Sequence, residues 1–303
     1  MTTIDKKIKL IYNPYSGNQN FKNRLHECIV QFQEAGYETH VFCYIESGDL
    51  ERHIADLPQD CYDVIAISGG DGTMSIVVNA LLQNSHNIPM LLIPSGTSND
   101  FASSLKIPRD VDKAASLIKG IPIPCDVGLV NGRYFLNVCA AGFMADISQI
   151  VNKGLKDSLG NLSYYLTGLG KLTNLTSLQV RVTNSQTSFE EDIYLFLALN
   201  SSGIGGLSDF SPNASVDDGL FDFIIVKAVP LLDFTMILMK LLTGEHLDDP
   251  NVIYFQDNYV KVEAITENES LMMNTDVDGE AGPQLPIVIE NCRHALRIFA
   301  PTG

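Results

Sequence analysis

The first 125 residues alternate between short apolar runs and segments of helical period, and this alternation limits the fold more than any other feature. Apolar runs at 7–13, 37–45 and 62–68 predict strands, and the segment 21–36 has apolar residues at helical spacing. Helices between successive strands predict parallel strands in an α/β domain. Ligands of such sheets bind beyond the carboxyl ends of the strands, so we look for function in the loops there.

The pattern changes near residue 125. Eight strand candidates follow, most of them without a helix between them: DVGLVN, RYFLNVCAAG, SLQVRVT, IYLFLALN, LFDFIIV, YVKVEAI, LPIVIE and ALRIFA. They predict a mainly antiparallel β domain. We expect an α/β domain over 1–126 and a β domain over 127–291, with a last strand at about 292–303 that returns to the first domain.

Two helices are predicted inside the β domain, at 159–172 and 230–242. The second carries an apolar stripe, and its members are Leu231, Phe234, Leu238, Leu241 and Leu242. Such a stripe predicts packing into the core, and contact with a membrane is the alternative interpretation.

Composition excludes several classes of protein. The net charge of −16 argues against nucleic acid as a partner and provides no general attraction to anionic membranes. The six cysteines form no C-x-x-C pair, which fits free thiols in the cytoplasm better than zinc ligands or disulfides. The amino terminus lacks the apolar core of a signal peptide, and the longest apolar stretch, 231–242, is too short to cross a bilayer.

The loop Gly69-Gly70-Asp71-Gly72-Thr73 directly follows a predicted buried strand and opens a predicted helix. Glycines allow a ligand to approach the main chain, and the free N–H groups of a helix start suit phosphate. A carboxylate beside phosphate is useful if it handles a metal ion or a proton. The loop matches neither the lysine-containing phosphate loop nor the dinucleotide fingerprint. A tight turn with an aspartate helix cap is the alternative.

A second loop, PSGTSNDF (94–101), repeats this arrangement. Gly96, Thr97 and Ser98 offer amides and hydroxyls, and Asn99-Asp100 opens a helix. Because both loops leave the same edge of a parallel sheet, we expect them to face each other. A third loop on that edge, NPYSG (13–17), could cap a helix or contact a nucleotide.

Two acidic clusters lie in the β domain. SVDDGLFD (215–222) offers carboxylates and turn carbonyls, which are ligands for Mg²⁺ or Ca²⁺, although an ordinary hairpin turn explains it too. NTDVDGE (274–280) ends on Glu280, which could act as a general base if the fold brings it to a substrate. A solvated hairpin is the alternative.

Four motifs in this order, G-G-D-G-T, P-x-G-T-x-N-D-F, D-G-L-x-D and D-G-E, resemble the diacylglycerol kinase catalytic-domain family, including its YegS-type members. The resemblance runs from NPYSG to ALRIFAP. It implies an α/β domain like those of NAD kinases and diacylglycerol kinases, followed by a β-sandwich domain. G-G-D-G-T alone is shared with NAD kinases. The chain departs from the pattern after its second strand, where threonine is usual near a nucleotide contact and where this chain has Tyr44, Ile45 and Glu46.

The resemblance implies roles for individual residues. Glu280 would be the general base, with Asp71 close to the transferred phosphate. Mg²⁺ would bind Asp218, helped by main-chain oxygens of Ser215 and Leu220. Together with the second loop, the residues predicted to contact ATP are Asn13, Pro14, Ser16, Gly17, Gly69, Gly70, Asp71, Gly72, Thr73, Met74, Ser75, Gly96, Thr97, Asn99 and Asp100.

The implied function is an ATP-dependent lipid kinase that phosphorylates diacylglycerol or a related lipid alcohol. A sphingoid base, undecaprenol or NAD is an alternative acceptor, and a non-catalytic lipid- or nucleotide-binding protein is a further alternative. The lipid would be presented at the inner face of the membrane by peripheral contact of a cytoplasmic protein. A homodimer also fits the resemblance.

Overall fold

A computed structural model describes residues 5–14, 21–142, 175–203, 211–265 and 274–301, and the helix predicted at 159–172 lies outside these ranges. The chain divides into two compact units, one of residues 1–126 with 293–303 and one of residues 127–292. None of the helices in the described ranges has the length and hydropathy needed to cross a bilayer.

The first unit is an α/β sheet. Its elements are β1 (Lys6–Tyr12), α1 (Phe21–Glu34), β2 (Tyr37–Cys43), α2 (Ser47–Ala55), β3 (Val64–Gly69), α3 (Asp71–Gln83), β4 (Met90–Pro94), α4 (Asp100–Ser104), α5 (Val111–Ser116) and a 3₁₀ turn at Leu117–Lys119. The strands run parallel in the order β2, β1, β3, β4. Every residue of β3 and β4 is buried, as expected for central strands of a parallel sheet covered on both faces. The predicted fold class of this domain is confirmed.

The second unit is built from antiparallel strands and one long helix. Its elements are the second part of β5 (Pro122–Val130), β6 (Arg133–Phe135), β7 (Val138–Gly142), β8 (Leu178–Asn184), β9 (Ser188–Leu199), β10 (Phe221–Lys227), α6 (Leu231–Thr243), β11 (Val252–Asp257), β12 (Tyr259–Ala264), β13 (Thr275–Val277), β14 (Glu280–Ala281) and the first part of β15 (Ile287–Phe299). The remaining residues of β5 and β15 belong to the first unit. The first half of β9 pairs with β8, and its second half pairs with β7 and β10. The predicted antiparallel β domain is therefore confirmed.

Strand β10 is buried on both faces, which explains its uninterrupted apolar sequence. Phe223 and Ile225 belong to the core between the strand layers, whereas Ile224 and Val226 pack against α6. The helix contributes Phe234, Ile237 and Leu241 to that second cluster. Burial on both faces removes the polar alternation that marks a half-exposed strand.

Several strands differ from the sequence prediction. The segment RYFLNVCAAG, predicted as one strand, forms the two strands β6 and β7, and β13 and β14 were not predicted as strands. Strand β11 was not predicted; it pairs with β10 and closes the side of the unit that α6 covers. The segments LPIVIE and ALRIFA, predicted as two strands, form the single strand β15. Its first part pairs with β12, and its end, at Ile298, pairs in parallel with β4. At the polar centre of β15, His294 has φ of +54°, and its N–H donates to Asp126 Oδ1 at 2.7 Å.

Candidate active site

The two glycine loops of the first unit are in direct contact, as predicted. The N–H of Ser95 donates to the carbonyl of Gly69 at 3.0 Å, and the N–H of Asn99 donates to Asp71 Oδ2 at 2.8 Å. Parallel pairing of β3 with β4 places the two loop starts side by side. The loops after these strands therefore form one surface.

Gly96 has no room for a side chain where the loops meet, and Gly70 has little. A Cβ on Gly96 would lie 2.5 Å from the Cα of Gly70, and a Cβ on Gly70 would lie 3.2 Å from the Cα of Gly96. A Cβ on Gly72, in contrast, would enter open space. The glycine at 96 is thus needed for loop-to-loop packing and the one at 70 favours it, while the one at 72 leaves the main chain open to a ligand.

Asn99 braces the second loop from within. Its backbone is left-handed, with φ of +54°, and its side chain accepts from Gly96 N–H at 3.0 Å and donates to Gly96 carbonyl at 2.7 Å. From outside, the Arg109 guanidinium donates to the carbonyls of Thr97 and Ser98 at 3.1 and 2.5 Å. Arg109 was not predicted from sequence, because it lies outside the motif, eight residues beyond its last residue, Phe101.

Asp71 is a partly buried carboxylate at the start of α3. Burial raises the pKa of Asp71, and the nearby carboxylate of Asp100 raises it further, although N–H donors of the second loop act in the opposite direction. Oδ2 is held by Asn99, whereas Oδ1 is buried and has no hydrogen-bond partner among the described residues. A buried carboxylate oxygen that lacks a partner suits a cation or a hydroxyl donor. The site thus fits the predicted metal-nucleotide ligand.

The first turn of α3 is held by Tyr44, which the sequence identified only as a departure from the family pattern. The hydroxyls of Tyr44 and Thr73 share a hydrogen bond of 2.7 Å, and both side chains are buried. Met74 and Ser75 are buried as well, so their side chains belong to the interior of the unit. In this turn the main chain, rather than these side chains, is available to a nucleotide.

The third predicted loop is described only in part. Asn13 follows β1, and its N–H donates to the carbonyl of Ser68 at 3.2 Å. This hydrogen bond connects the start of the loop to the end of β3. Pro14 comes next, and Ser16 and Gly17 lie outside the described residues.

In the second unit, the NTDVDGE segment forms a tight turn whose first two acids are structural. Asp276 is buried, and its Oδ1 accepts from the N–H of Gly279 at 2.9 Å. Asp278, with φ of +52°, accepts three N–H groups at 2.7 to 3.0 Å, from Leu136, Asn137 and Val138. Charge-assisted bonds of this kind fix the turn between β13 and β14.

The turn presents Glu280 with its side chain exposed. Arg133 donates to Glu280 Oε2 at 2.7 Å and to the carbonyl of Ala281 at 2.7 Å. One guanidinium therefore holds both the carboxylate and the backbone that follows it. This contact was missed because the two residues are 147 positions apart and NGRYF resembles an ordinary hairpin.

The predicted metal turn has an oriented carboxylate at Asp218. Its Oδ1 accepts from Leu220 N–H at 2.9 Å, and the hydroxyl of Ser215 donates to Asp217 Oδ1 at 2.6 Å. Gly219 has φ of +83°, which permits the sharp turn. No cluster of three metal-ligating side chains occurs within the described residues. One carboxylate beside turn carbonyls fits Mg²⁺, which keeps several of its waters.

Behind this turn lies a buried acid. Asp222 accepts from the hydroxyl of Tyr254, and burial raises the pKa of Asp222. Burial and, to a smaller extent, the hydrogen bond to Asp222 raise the pKa of Tyr254 to about 12. The phenol therefore stays protonated and donates the hydrogen bond. Asn213 donates to the same phenol oxygen at 3.2 Å. Asp222 is thus part of the support of the turn.

Comparison with known proteins places these features in a family. Residues 7–130 match the family model described as "Diacylglycerol kinase catalytic domain", and residues 137–300 match "YegS C-terminal NAD kinase beta sandwich-like domain". A Bacillus subtilis protein named diacylglycerol kinase is 37% identical over 98% of this chain and 97% of its own length. A Staphylococcus carnosus protein of the same name is 33% identical over 98% of this chain and 95% of its own length.

A solved structure is also similar over the whole chain. It is the crystal structure of a candidate diacylglycerol kinase from Bacillus anthracis str. Sterne, with a TM-score of 0.83 and 26% identity. The match covers 99% of this chain and 97% of that protein.

Proposed function

The chain belongs to the diacylglycerol kinase family, and on this premise we propose that it transfers the γ-phosphoryl group of ATP to the hydroxyl of diacylglycerol, giving phosphatidic acid. The lipid kinase activity follows from the family, and the choice of diacylglycerol rests on the names of the relatives. The structural observation that carries the proposal is the Asp71 carboxylate, which is bonded to the second loop through one oxygen and is without a partner, among the described residues, at the other.

The phosphates of ATP would bind the surface made by the two glycine loops. Phosphoryl transfer depends mainly on positioning and charge stabilisation, so main-chain N–H groups can serve where other kinases use a lysine. Asn13, Pro14, Ser16 and Gly17 complete the proposed nucleotide contacts.

The chemical step needs a base for the acceptor alcohol. Glu280 takes the proton of the hydroxyl group, and the hydroxyl oxygen forms a bond to the γ-phosphorus. The bond between that phosphorus and the oxygen bridging to the β-phosphate breaks, and ADP leaves with the bond's electron pair. Asp71 orients the reacting groups, and Arg133 keeps the base in place.

Asp218, with the main-chain oxygens of Ser215 and Leu220, would hold a Mg²⁺ ion, and a bound ion would supply positive charge that stabilises this acidic turn. A second requirement for Mg²⁺ comes from ATP itself, because kinases bind ATP together with Mg²⁺, and the Asp71 carboxylate would help to hold that ion.

The lipid acceptor requires contact with a membrane. We propose that the protein is cytoplasmic and contacts the inner face of the membrane peripherally. A homodimer is compatible with this function, and light scattering of the purified protein measures the number of copies.

An assay of ATP consumption against a panel of acceptors tests the proposed function. The panel contains diacylglycerol, monoacylglycerol, sphingosine, undecaprenol and NAD, with and without Mg²⁺. We expect the highest kcat/KM with diacylglycerol and no turnover without Mg²⁺. A higher kcat/KM with another acceptor would replace diacylglycerol as the substrate, and nucleotide binding without turnover on any acceptor would favour a non-catalytic protein.

A further inference from the structure

Helix α6 has two apolar faces, and one of them is buried against strands of the second unit. Phe234, Ile237 and Leu241 are buried against the strands. On the opposite side, Leu232 and Met236 are exposed by 73% and 55% of their areas. The predicted stripe therefore packs into the core only in part: Leu238 is partly buried, Leu231 is exposed, and nothing is described of the Leu242 side chain.

Exposed large apolar side chains are concentrated on this helix. Seven occur among the described residues, and four of them lie on α6. We call these four the α6 patch: Leu231, Leu232, Met236 and Met239. Spacings of three and four residues put Leu232, Met236 and Met239 in one row along the helix. Scattered exposed apolar residues are ordinary, but a contiguous row marks a contact surface.

We propose that the α6 patch is the surface by which this protein docks on the lipid bilayer that contains its acceptor. The inference rests on the proposed function, because a lipid acceptor must be taken from a bilayer. A helix with an apolar outward face can lie in the plane of the membrane interface with that face among the acyl chains.

The size of the patch favours a bilayer over a second copy of the chain. Four side chains that are exposed by 46% to 73% offer far less area than the roughly 800 Å², from about 20–30 residues, that each partner contributes to a standard stable interface. A bilayer needs no matching surface and accepts a small apolar patch reversibly.

The charges around the patch are consistent with an acidic protein that docks on a bilayer through an apolar surface. On α6, Asp233 and Lys240 lie seven residues apart on one flank of the helix, away from the row. Lys240 is paired with the buried Asp249 at 2.7 Å, so its charge is largely compensated. The patch thus carries little of the net charge of −16 that would repel an anionic membrane. Docking should therefore depend weakly on salt.

The test uses the full-length protein and the double variant Leu232→Gln/Met236→Gln. Binding is measured by flotation with vesicles of phosphatidylcholine and phosphatidylglycerol, at low and high salt. Activity is measured on long-chain diacylglycerol in the same vesicles and on a short-chain diacylglycerol dissolved without vesicles. The control Val41→Gln/Ile121→Gln removes two exposed apolar side chains of the first unit.

We expect the α6 variant to lose at least about tenfold in vesicle binding and in activity on vesicle-borne lipid, while its activity on the dissolved lipid, its thermal stability and its mass stay unchanged. The control should bind vesicles like the wild type. Unchanged vesicle binding in the α6 variant would overturn the proposal, as would wild-type protein that does not bind vesicles. A fall in mass from dimer to monomer with unchanged vesicle binding would assign the patch to a second copy.

These outcomes are separate from those for the proposed function. If wild-type protein leaves the dissolved diacylglycerol unphosphorylated, the proposed substrate is wrong. Flotation still reports on docking in that case, because it does not require catalysis.

Discussion

The carboxylate of Asp71 accepts a hydrogen bond of 2.8 Å from the main-chain N–H of Asn99, which joins two loops 28 residues apart. Asn99 also bonds Gly96 through both ends of its side chain, so the residue that joins the two loops is itself fixed within the second loop. The backbones of Gly70 and Gly96 also lie in close contact, so the joined loops should be sensitive to atoms added at these glycines and less sensitive to changes of outward side chains.

Replacing Gly96 by alanine should separate the loops, because the new Cβ would lie 2.5 Å from the Cα of Gly70. We expect a lower melting temperature and at least about tenfold weaker ATP binding, since backbone contacts give little room for adjustment. Calorimetric binding of ATP measures this. Gly48→Ala is the control, because a Cβ there meets nothing within 4 Å. Equal ATP affinity in both variants would contradict the role assigned to the loop contact.

Replacing Tyr44 by phenylalanine should loosen the first turn of α3 by leaving the buried Thr73 hydroxyl without its 2.7 Å partner. The cost should be about 1 kcal/mol of unfolding free energy, with an increase of a few-fold in KM for ATP. Chemical unfolding and steady-state kinetics measure the two effects. Tyr62→Phe is the control, because it removes a hydrogen bond to His40 at 3.0 Å away from the loops. An increase in KM of the same size in the control would show that the effect is not local.

Part of this arrangement could be predicted from the sequence, because it follows from local patterns. Alternating strands and helices place the loops after β3 and β4 on one edge, so their contact was predictable. The contacts of Tyr44 with Thr73 and of Arg133 with Glu280 were not, because tertiary packing alone brings these residues together. No spacing rule connects side chains so far apart in the chain.

The strands that were misjudged show the same limit. Strand β11 follows an irregular segment, and its role as the partner of β10 appears only in the fold. Strand β15 seemed to be two strands because its centre is polar. That centre is held instead by the hydrogen bond from His294 to Asp126, a contact between distant segments.

Replacing Asp71 by asparagine should stabilise the protein at neutral pH while it reduces activity. The folded state raises the pKa of Asp71, so it holds the proton more tightly than the unfolded chain does. Between the ordinary pKa and the raised one, this carboxyl group therefore lowers the stability as the pH rises. Chemical unfolding of both proteins should show a stability gain in the variant at pH 7 that shrinks as the pH falls toward about 4. A gain that is independent of pH would contradict this explanation.

Replacing Arg133 by methionine should displace Glu280 and leave the nucleotide loops unchanged. Losing the bonds to Glu280 and to Ala281 carbonyl should lower kcat at least about tenfold, because small errors in the position of a base are costly. KM for ATP should not change. Arg181→Met is the matched control, since it breaks a pair with Glu190 at 2.6 Å between exposed side chains of β8 and β9. If kcat falls equally in the Arg181→Met control, Arg133 has only a general stabilising role.

The most direct test of the account is the kcat for phosphatidic acid formation by Glu280→Gln, measured on dissolved short-chain diacylglycerol beside the wild type and the exposed-acid control Glu290→Gln. If Glu280 is the general base, kcat should fall by at least about 10²-fold in Glu280→Gln and stay near wild type in Glu290→Gln, with ATP affinity unchanged in both. Wild-type turnover by a folded Glu280→Gln protein would contradict the mechanism.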